Sequence, residues 1–288
     1  MRAETRNQIL KITIATRLDR IIGFLGRHRW FVSLVQRLAP PPSMYRPSDH
    51  RKVMLLGVQF EVQMNDLMSQ PIYFGLHLDE IFCLQNVIHK NDVVIDVGAN
   101  IGRWSLFVAH LYKTQMIYAF EPFQETFMKL QKNISLNQQF KIQTVNQAVS
   151  DSEDKIAISV RDCFNTGMNQ INLASPNKNL FAVRLDFFCE INNIQKIDVI
   201  KIDVEGFEMN VLKGSENLIK QWHPKIICEI DDFLLSQNKT TPTNIFNFLQ
   251  GLNYQIYQLP EMSPVTANTP IQDIHFDIVA LPMKENCL

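Results

Sequence analysis

Val93-Val94-Ile95-Asp96-Val97-Gly98-Ala99-Asn100-Ile101-Gly102 is an apolar run that stops in a glycine turn and leads into Arg103 to Tyr112. It reads as strand, tight turn, helix. A short continuous apolar run suits a parallel strand covered on both faces. Gly98 and Gly102 free the backbone to bend and to admit a close neighbour. The helix behind the turn offers unpaired N–H groups and a positive dipole end, which suit a carboxylate or a phosphate. An ordinary βα turn is the plainer reading of the same residues.

The residues between the glycines select among ligands. The dinucleotide fingerprint is G-x-G-x-x-G, whereas here Asn100 stands where the second glycine would sit. A pyrophosphate thereby loses its close approach. Asp96 at the strand tip would repel a diphosphate and attract an ammonium or sulfonium. S-adenosylmethionine fits both signs, with its carboxylate at the helix N-terminus and its amino group on the Asp96 side.

Of 288 residues, 46% are hydrophobic and 20% charged, the balance of a soluble globular chain with room for a good core. The net charge is −1, but unevenly spread: residues 1–52 hold 11 Lys and Arg against 3 Asp and Glu, and the rest holds 17 against 26. The five cysteines, Cys83, Cys163, Cys189, Cys228 and Cys287, include no C-x-x-C pair, which argues for free thiols and against a zinc site. No run is long enough to span a membrane and no signal peptide is evident, so the expected location is the cytoplasm.

Residues 4–38 carry apolar residues at helical spacing, interleaved with Arg17, Arg20, Arg27, Arg29 and Arg37. One or two basic amphipathic helices are expected. Such an arm can lie on an anionic membrane or an acidic partner, or pack on the protein's own acidic body. Ala39-Pro40-Pro41-Pro42-Ser43 then ends it as a linker. Residues 1–50 are therefore read as a helical arm and 51–288 as the main domain. Val53 to Met64 suggests a strand pair, Glu80 to Ile88 a short helix, and Tyr73-Phe74-Gly75 a kinked aromatic segment able to cover a ligand.

A second βα unit follows at Met116 to Phe120, then Glu121-Pro122, then a helix with Phe127, Leu130 and Ile134 inward. Glu121 ends its strand 25 residues after Asp96, near where a ribose should meet a carboxylate. Its two oxygens can accept from both ribose hydroxyls. Ile142 to Val149 reads as one strand and Lys155 to Val160 as another, with Asn165 to Asn179 a polar loop. Ile197 to Glu208 is the other strong stretch, a buried strand ending in Asp203-Val204-Glu205-Gly206-Phe207-Glu208. Carboxylates crowded at a strand's carboxyl end raise one another's pKa and sit where open α/β sheets bind ligands. Next come a helix through Val211 and Leu212 to Gly214, a turn capped by Ser215, a strand at Lys225 to Ile230 and a helix from Pro242 with Gly251 past its end. Tyr254 to Leu259 and Phe276 to Leu281 are the last strands, joined by Pro260 to Ile274, a segment expected to rim the active-site edge.

This order of elements is that of the class I S-adenosylmethionine-dependent methyltransferases, and the chain more closely resembles the FkbM family. Val94 to Gly102, Phe120-Glu121-Pro122, Ala148-Val149-Ser150-Asp151, Arg184-Leu185-Asp186 and above all Lys201 to Glu208 carry the resemblance, over about residues 72–232. It implies an α/β Rossmann-like, mostly parallel seven-stranded sheet with an antiparallel last strand, S-adenosylmethionine as donor and a hydroxyl acceptor on a sugar, lipid or secondary metabolite. Asp96, Gly98, Asn100 and Gly102 would form the methionine side, Glu121 the ribose clamp, and Asp151 would stand near the adenine. Arg184 departs from the family pattern, which has a small hydroxyl residue there. It puts the acceptor side in question.

Methyl transfer is an in-line displacement that depends on aligning an acceptor oxygen, with a carboxylate to take its proton. Asp203 is the expected base, with Glu205 and Glu208 orienting the acceptor or the loop and Lys201 balancing their charge. No metal is expected; a hard cation between Asp203 and Glu229 is the alternative, without a further ligand set. A nicotinamide dehydrogenase or a catalytically inactive binding module also fits parts of the pattern. Nucleic acid is not an expected partner, because the body is acidic and no N/D-P-P-Y or Pro-Cys motif is present.

Overall fold

The computed structural model describes residues 3–26, 29–76, 78–153, 155–159, 170–171, 178–267, 269 and 275–283. Helices α1 (Ala3–Ala15), α2 (Leu18–Gly26) and α3 (Val32–Leu38) precede a hairpin of β1 (His50–Leu55) and β2 (Val58–Gln63). Short helices α4 (Gln70–Tyr73) and α5 (Asp79–Phe82) lead to β3 (Val93–Val97), α6 (Arg103–Tyr112), β4 (Met116–Phe120), α7 (Gln124–Ser135) and β5 (Ile142–Val145). Then come β6 (Ala148–Val149), β7 (Lys155–Ser159), β8 (Gln170–Ile171), β9 (Lys178–Val183), α8 (Leu185–Ile191) and β10 (Val199–Ile202). The chain continues through α9 (Glu208–Lys213), α10 (Glu216–Trp222), β11 (Lys225–Asp231), α11 (Asp232–Gln237) and α12 (Pro242–Gly251). It ends in β12 (Tyr254–Gln258), β13 (Ser263–Val265) and β14 (His275–Pro282).

The main sheet has the order β13-β12-β14-β11-β10-β3-β4-β5. β5, β4, β3, β10 and β11 run parallel, and β14 runs antiparallel to both β11 and β12. This is the Rossmann-like, mostly parallel α/β architecture, with β13 added as an eighth strand at one edge. Alternate residues divide between two cores. Val94 and Val199 face one with Phe60, Phe107, Ile22 and Val35, while Ile95, Val97, Ile200 and Ile202 face the other with Leu185, Leu212 and Phe246. Helices on both faces explain why these strands are continuous apolar runs. The strand order reverses between β3 and β10, so a crevice opens at their carboxyl ends.

The expected strand from Ile142 to Val149 is two strands. Asn146 turns its side-chain amide onto the Glu121 and Pro122 carbonyls at 2.9 and 3.1 Å, and the chain leaves the main sheet there. β6 joins a second sheet of order β6-β9-β7-β8. β8 and β9 fall in or beside the expected polar loop of residues 165–179; the rest of that loop, at 165–169 and 172–177, lies outside the described residues, as does 160, the last residue of the expected strand before it. Ser215 does not cap α10 with its side chain. Its Oγ donates to the Val211 carbonyl at 2.6 Å, and the Asp186 carboxylate accepts from the Asn217 and Leu218 N–H groups instead. A capping box of Thr241 and Asn244 starts α12, and Gly251 is its last residue rather than the one beyond. Cys83, Cys189 and Cys228 are free thiols; Cys163 and Cys287 lie outside the described residues, as does most of the far half of the Pro260–Ile274 segment.

The N-terminal helices pack on the body through apolar side chains and through the Asp19–Arg51 ion pair. Ile22 and Val35 enter the core that holds Phe60 and Phe107. Gly26 lies against the Phe74 carbonyl, where an added Cβ would sit 1.9 Å from the oxygen. Asp19 is fully buried, 2.7 Å from the Arg51 guanidinium, and accepts from the Tyr45 hydroxyl at 3.1 Å.

Candidate active site

The β3 turn builds one wall of the crevice. Gly98 and Ala99 donate their N–H groups to the Phe120 carbonyl at 3.0 and 2.8 Å. Gly98, Asn100 and Gly102 all have left-handed backbone, with φ of 84°, 50° and 86°. Asparagine tolerates this region better than most non-glycine residues. The glycines answer first to the protein's own packing. A Cβ on Gly98 would lie 1.8 Å from the Asp203 carbonyl oxygen, and one on Gly102 would lie 2.7 Å from Leu130. Gly98 thus lets the ends of β3 and β10 come together.

Glu121 ties this turn to the next. One oxygen accepts from the Asn100 N–H and the other from the Phe123 N–H, both at 2.9 Å. Burial pushes its pKa up to about 7, against the pull of those two donors. Each oxygen keeps acceptor capacity toward the cavity it lines.

The second wall comes from β10 and rests on one lysine. Lys201 pairs in register with Asp96 on β3. Their side chains project on the face that α6 covers, where Trp104 and Ser105 lie. Lys201 Nζ is 3.5 Å from Asp96, 2.8 Å from Asp203 and 5.9 Å from the Trp104 ring. Asp96 is fully buried and accepts from the Ser105 hydroxyl at 2.5 Å. Burial raises its pKa, while Lys201 and Ser105 hold it back. Asp203, one residue past the strand end, is 39% exposed to the crevice. Despite the desolvation it suffers, the Lys201 charge lowers its pKa.

Glu229, on the neighbouring β11, lines the same cavity as Asp203. Burial and the Asp203 charge push the Glu229 pKa well up. His275, at the start of β14, stands 3.6 Å from Glu229 and 3.5 Å from Asp231, and reaches solvent.

These walls enclose a cavity of about 350 Å³, toward the small end of ligand pockets. Gly98, Asn100, Glu121, Lys201, Asp203 and Glu205 line it, so six of the sequence-predicted residues come together. Asp96, Gly102, Asp151 and Glu208 do not. Asp96 and Gly102 support the wall from behind. Glu208 is buried and accepts from the Val204 and Gly206 N–H groups at 3.3 and 3.0 Å, fixing the acidic turn. Its pKa is pushed up to about 7 by burial. Asp151 is exposed and bonds to Ser150 and Asn210. Sequence reasoning missed Trp104, Leu259, His275 and Asp277 on the wall. The alternation His275-Phe276-Asp277 at a strand start was the available signal for two of them. Among the described residues, no group of three or more His, Cys, Asp or Glu side chains is placed to hold a metal ion.

Residues 96–256, which contain both walls, match the family described as the methyltransferase FkbM domain. The chain belongs to that family. Methyltransferase 1 of Beauveria bassiana is 27% identical over 146 residues, covering 43% of this chain and 58% of that protein. Hexuronic acid methyltransferase AglP of Haloferax volcanii is 28% identical over 142 residues, covering 49% and 57%. This chain thus matches a little over half the length of these curated relatives. The solved structure of a methyltransferase FkbM from Methylobacillus flagellatus aligns with 73% of this chain and 52% of its own, at a TM-score of 0.45 and 14% identity.

Proposed function

We propose that this FkbM-family protein is an S-adenosylmethionine-dependent O-methyltransferase acting on a hydroxyl of a small-molecule or glycan acceptor. The carrying observation is that Asp203, kept ionised by Lys201, opens into the same cavity as the Asn100–Glu121 wall. The donor fits this wall in chemistry. Glu121 presents carboxylate oxygens with acceptor capacity to spare, suited to a pair of ribose hydroxyls. Asp96, held by Lys201 and Ser105, supports this wall from behind the turn. When bound, S-adenosylmethionine supplies an electrophilic methyl group on a sulfonium.

The residues of the chain do the rest. Asp203 accepts the hydrogen bond of the acceptor hydroxyl, fixes the oxygen's direction and takes its proton. Lys201 holds Asp203 in place. Glu205, on the cavity wall in left-handed backbone at φ 55°, orients the acceptor, while Glu208 fixes the turn that carries it. His275, 3.6 Å from Glu229, links the site to solvent. The hexuronic acid named for the Haloferax relative has hydroxyls of the proposed class.

Calorimetry with S-adenosylhomocysteine and NADH, followed by mass spectrometry of small-molecule extract incubated with methyl-labelled S-adenosylmethionine, tests this reading. Binding of S-adenosylhomocysteine with label on an oxygen is the expected outcome. Binding of NADH alone would point to the dehydrogenase reading, and binding without any labelled product to an inactive binding module.

A further inference from the structure

Helices α2 and α3 carry large apolar residues on their outer faces as well as their inner ones. An ordinary amphipathic helix turns its large apolar residues inward. On α2 the buried stripe is Asp19, Ile22, Gly23 and Gly26, while Leu18 and Ile21, three residues apart, face outward; Ile21 is 56% exposed. On α3, Val35 is buried, while Leu34 and Leu38, four apart, face outward, with Leu34 45% exposed. α2 packs on α3, and Trp30, between them in sequence, is 95% exposed. The inner stripes already anchor the arm, so the outer apolar stripes are surplus to folding. Outward apolar stripes on two helices that pack on each other are the kind of exposed surface that marks an interaction site.

The charges select the partner. Lys11, Arg17, Arg20 and Arg37 are exposed around these stripes. Residues 1–52 hold 11 basic against 3 acidic residues, and one of those acids, Asp19, is buried against Arg51. A second copy would oppose one basic arm to another. A surface of anionic lipid headgroups instead attracts the arginines, accepts the aliphatic stripes into its acyl boundary and favours Trp at the interface. Among the described residues no helix is long and apolar enough to cross a membrane, so contact would be peripheral.

We infer that the outer face of α2 and α3 docks the protein on membranes bearing anionic headgroups. The test is co-sedimentation of the full-length protein with phosphatidylcholine vesicles, with and without phosphatidylglycerol, at rising salt. Binding is expected only with phosphatidylglycerol present, and should weaken with salt. Arg20→Ala and Arg37→Ala should each lower affinity about fivefold, the worth of one positive charge near such a surface. Ile21→Glu with Leu34→Glu should abolish binding without moving the melting temperature, since both side chains are exposed. Failure to bind anionic vesicles, or equal binding by that double variant, overturns the proposal. So would a concentration-dependent dimer, seen by ultracentrifugation and abolished by the double variant, if vesicles are not bound.

Discussion

Asp96 lies on β3 and Asp203 just past the end of the neighbouring parallel strand β10, and one ammonium group, that of Lys201, reaches both. Their fates are opposite. Asp96 sits within β3, fully buried, and its pKa is raised by burial. Asp203 sits one residue beyond β10 at the mouth of the crevice, and its pKa is lowered by Lys201. The difference lies in depth along the strand. A carboxylate inside the sheet anchors the lysine; one just past the end receives that charge and faces the crevice. Residue type alone does not assign the role; position relative to the strand end does.

The harshest way to break this arrangement is to remove the shared cation. Lys201→Met would leave Asp96 buried with only Ser105 beside it and Asp203 without its counter-charge. Losing one partner of a buried ion pair costs about 3–5 kcal/mol. Urea unfolding should report a loss of that order, and adding Asp96→Asn should recover part of it. A loss well under 1 kcal/mol would mean that the lysine does not organise the two strand ends.

The two aspartates can then be separated directly. Asp203→Asn keeps the shape of the side chain but removes the proposed base, so turnover should fall roughly 10²- to 10⁴-fold while the melting temperature and S-adenosylhomocysteine binding stay near the parent's. Asp96→Asn should do the reverse, lowering the melting temperature first. If Asp203→Asn melts early and Asp96→Asn does not, the assignment of anchor and base is inverted.

The two strands were legible, because continuous apolar runs such as Val93 to Val97 and Val199 to Ile202 report burial on both faces of a parallel sheet; the contrast between the aspartates was not, since the sequence places Asp96 at the strand tip and the structure buries it within β3. The acidic turn after β10 and Glu121 were legible as strand-end residues for the same reason. What was not legible depends on distant contacts. Gly98 reads as room for a ligand, yet the atom that needs the room is the Asp203 carbonyl, 105 residues on. Residues 178–183 form β9 by pairing with Ala148–Val149 and Lys155–Ala157, and β13 forms by pairing with β12 at the sheet edge. Neither strand announces itself by periodicity: β9 exists through its partners on both sides, and β13 is a three-residue edge strand. His275 and Asp277 reach the cavity only because β14 lies antiparallel beside β11 in the register that sets Asp277 opposite Glu229 and His275 opposite Asp231. The outward apolar stripe of α2 was hidden because helical spacing shows that a face exists but not which face is buried.

The subtlest prediction carries the comparison to a third carboxylate. Glu208 lies five residues past Asp203 but points into the protein, where its Oε1 holds the Val204 and Gly206 N–H groups and its Oε2 is buried without a hydrogen bond. Burial takes its pKa to about 7, from 4.5 for a free glutamate. Between those values the folded protein retains a proton that the unfolded chain releases, so the folded state binds more protons. Stability must therefore fall as pH rises from about 4.5 through 7. Glu208→Gln preserves an oxygen for the two backbone donors and mimics the neutral acid, but it cannot titrate. It should flatten the decline in melting temperature between pH 5 and pH 7.5 by on the order of a few degrees. Glu121, also raised to about 7, will keep part of the slope. Glu208→Gln should also leave turnover largely intact, in contrast to Asp203→Asn, because the turn it fixes is still held. An unchanged slope would mean that Glu208 is ionised in the folded protein, and that the Val204 and Gly206 donors outweigh its burial.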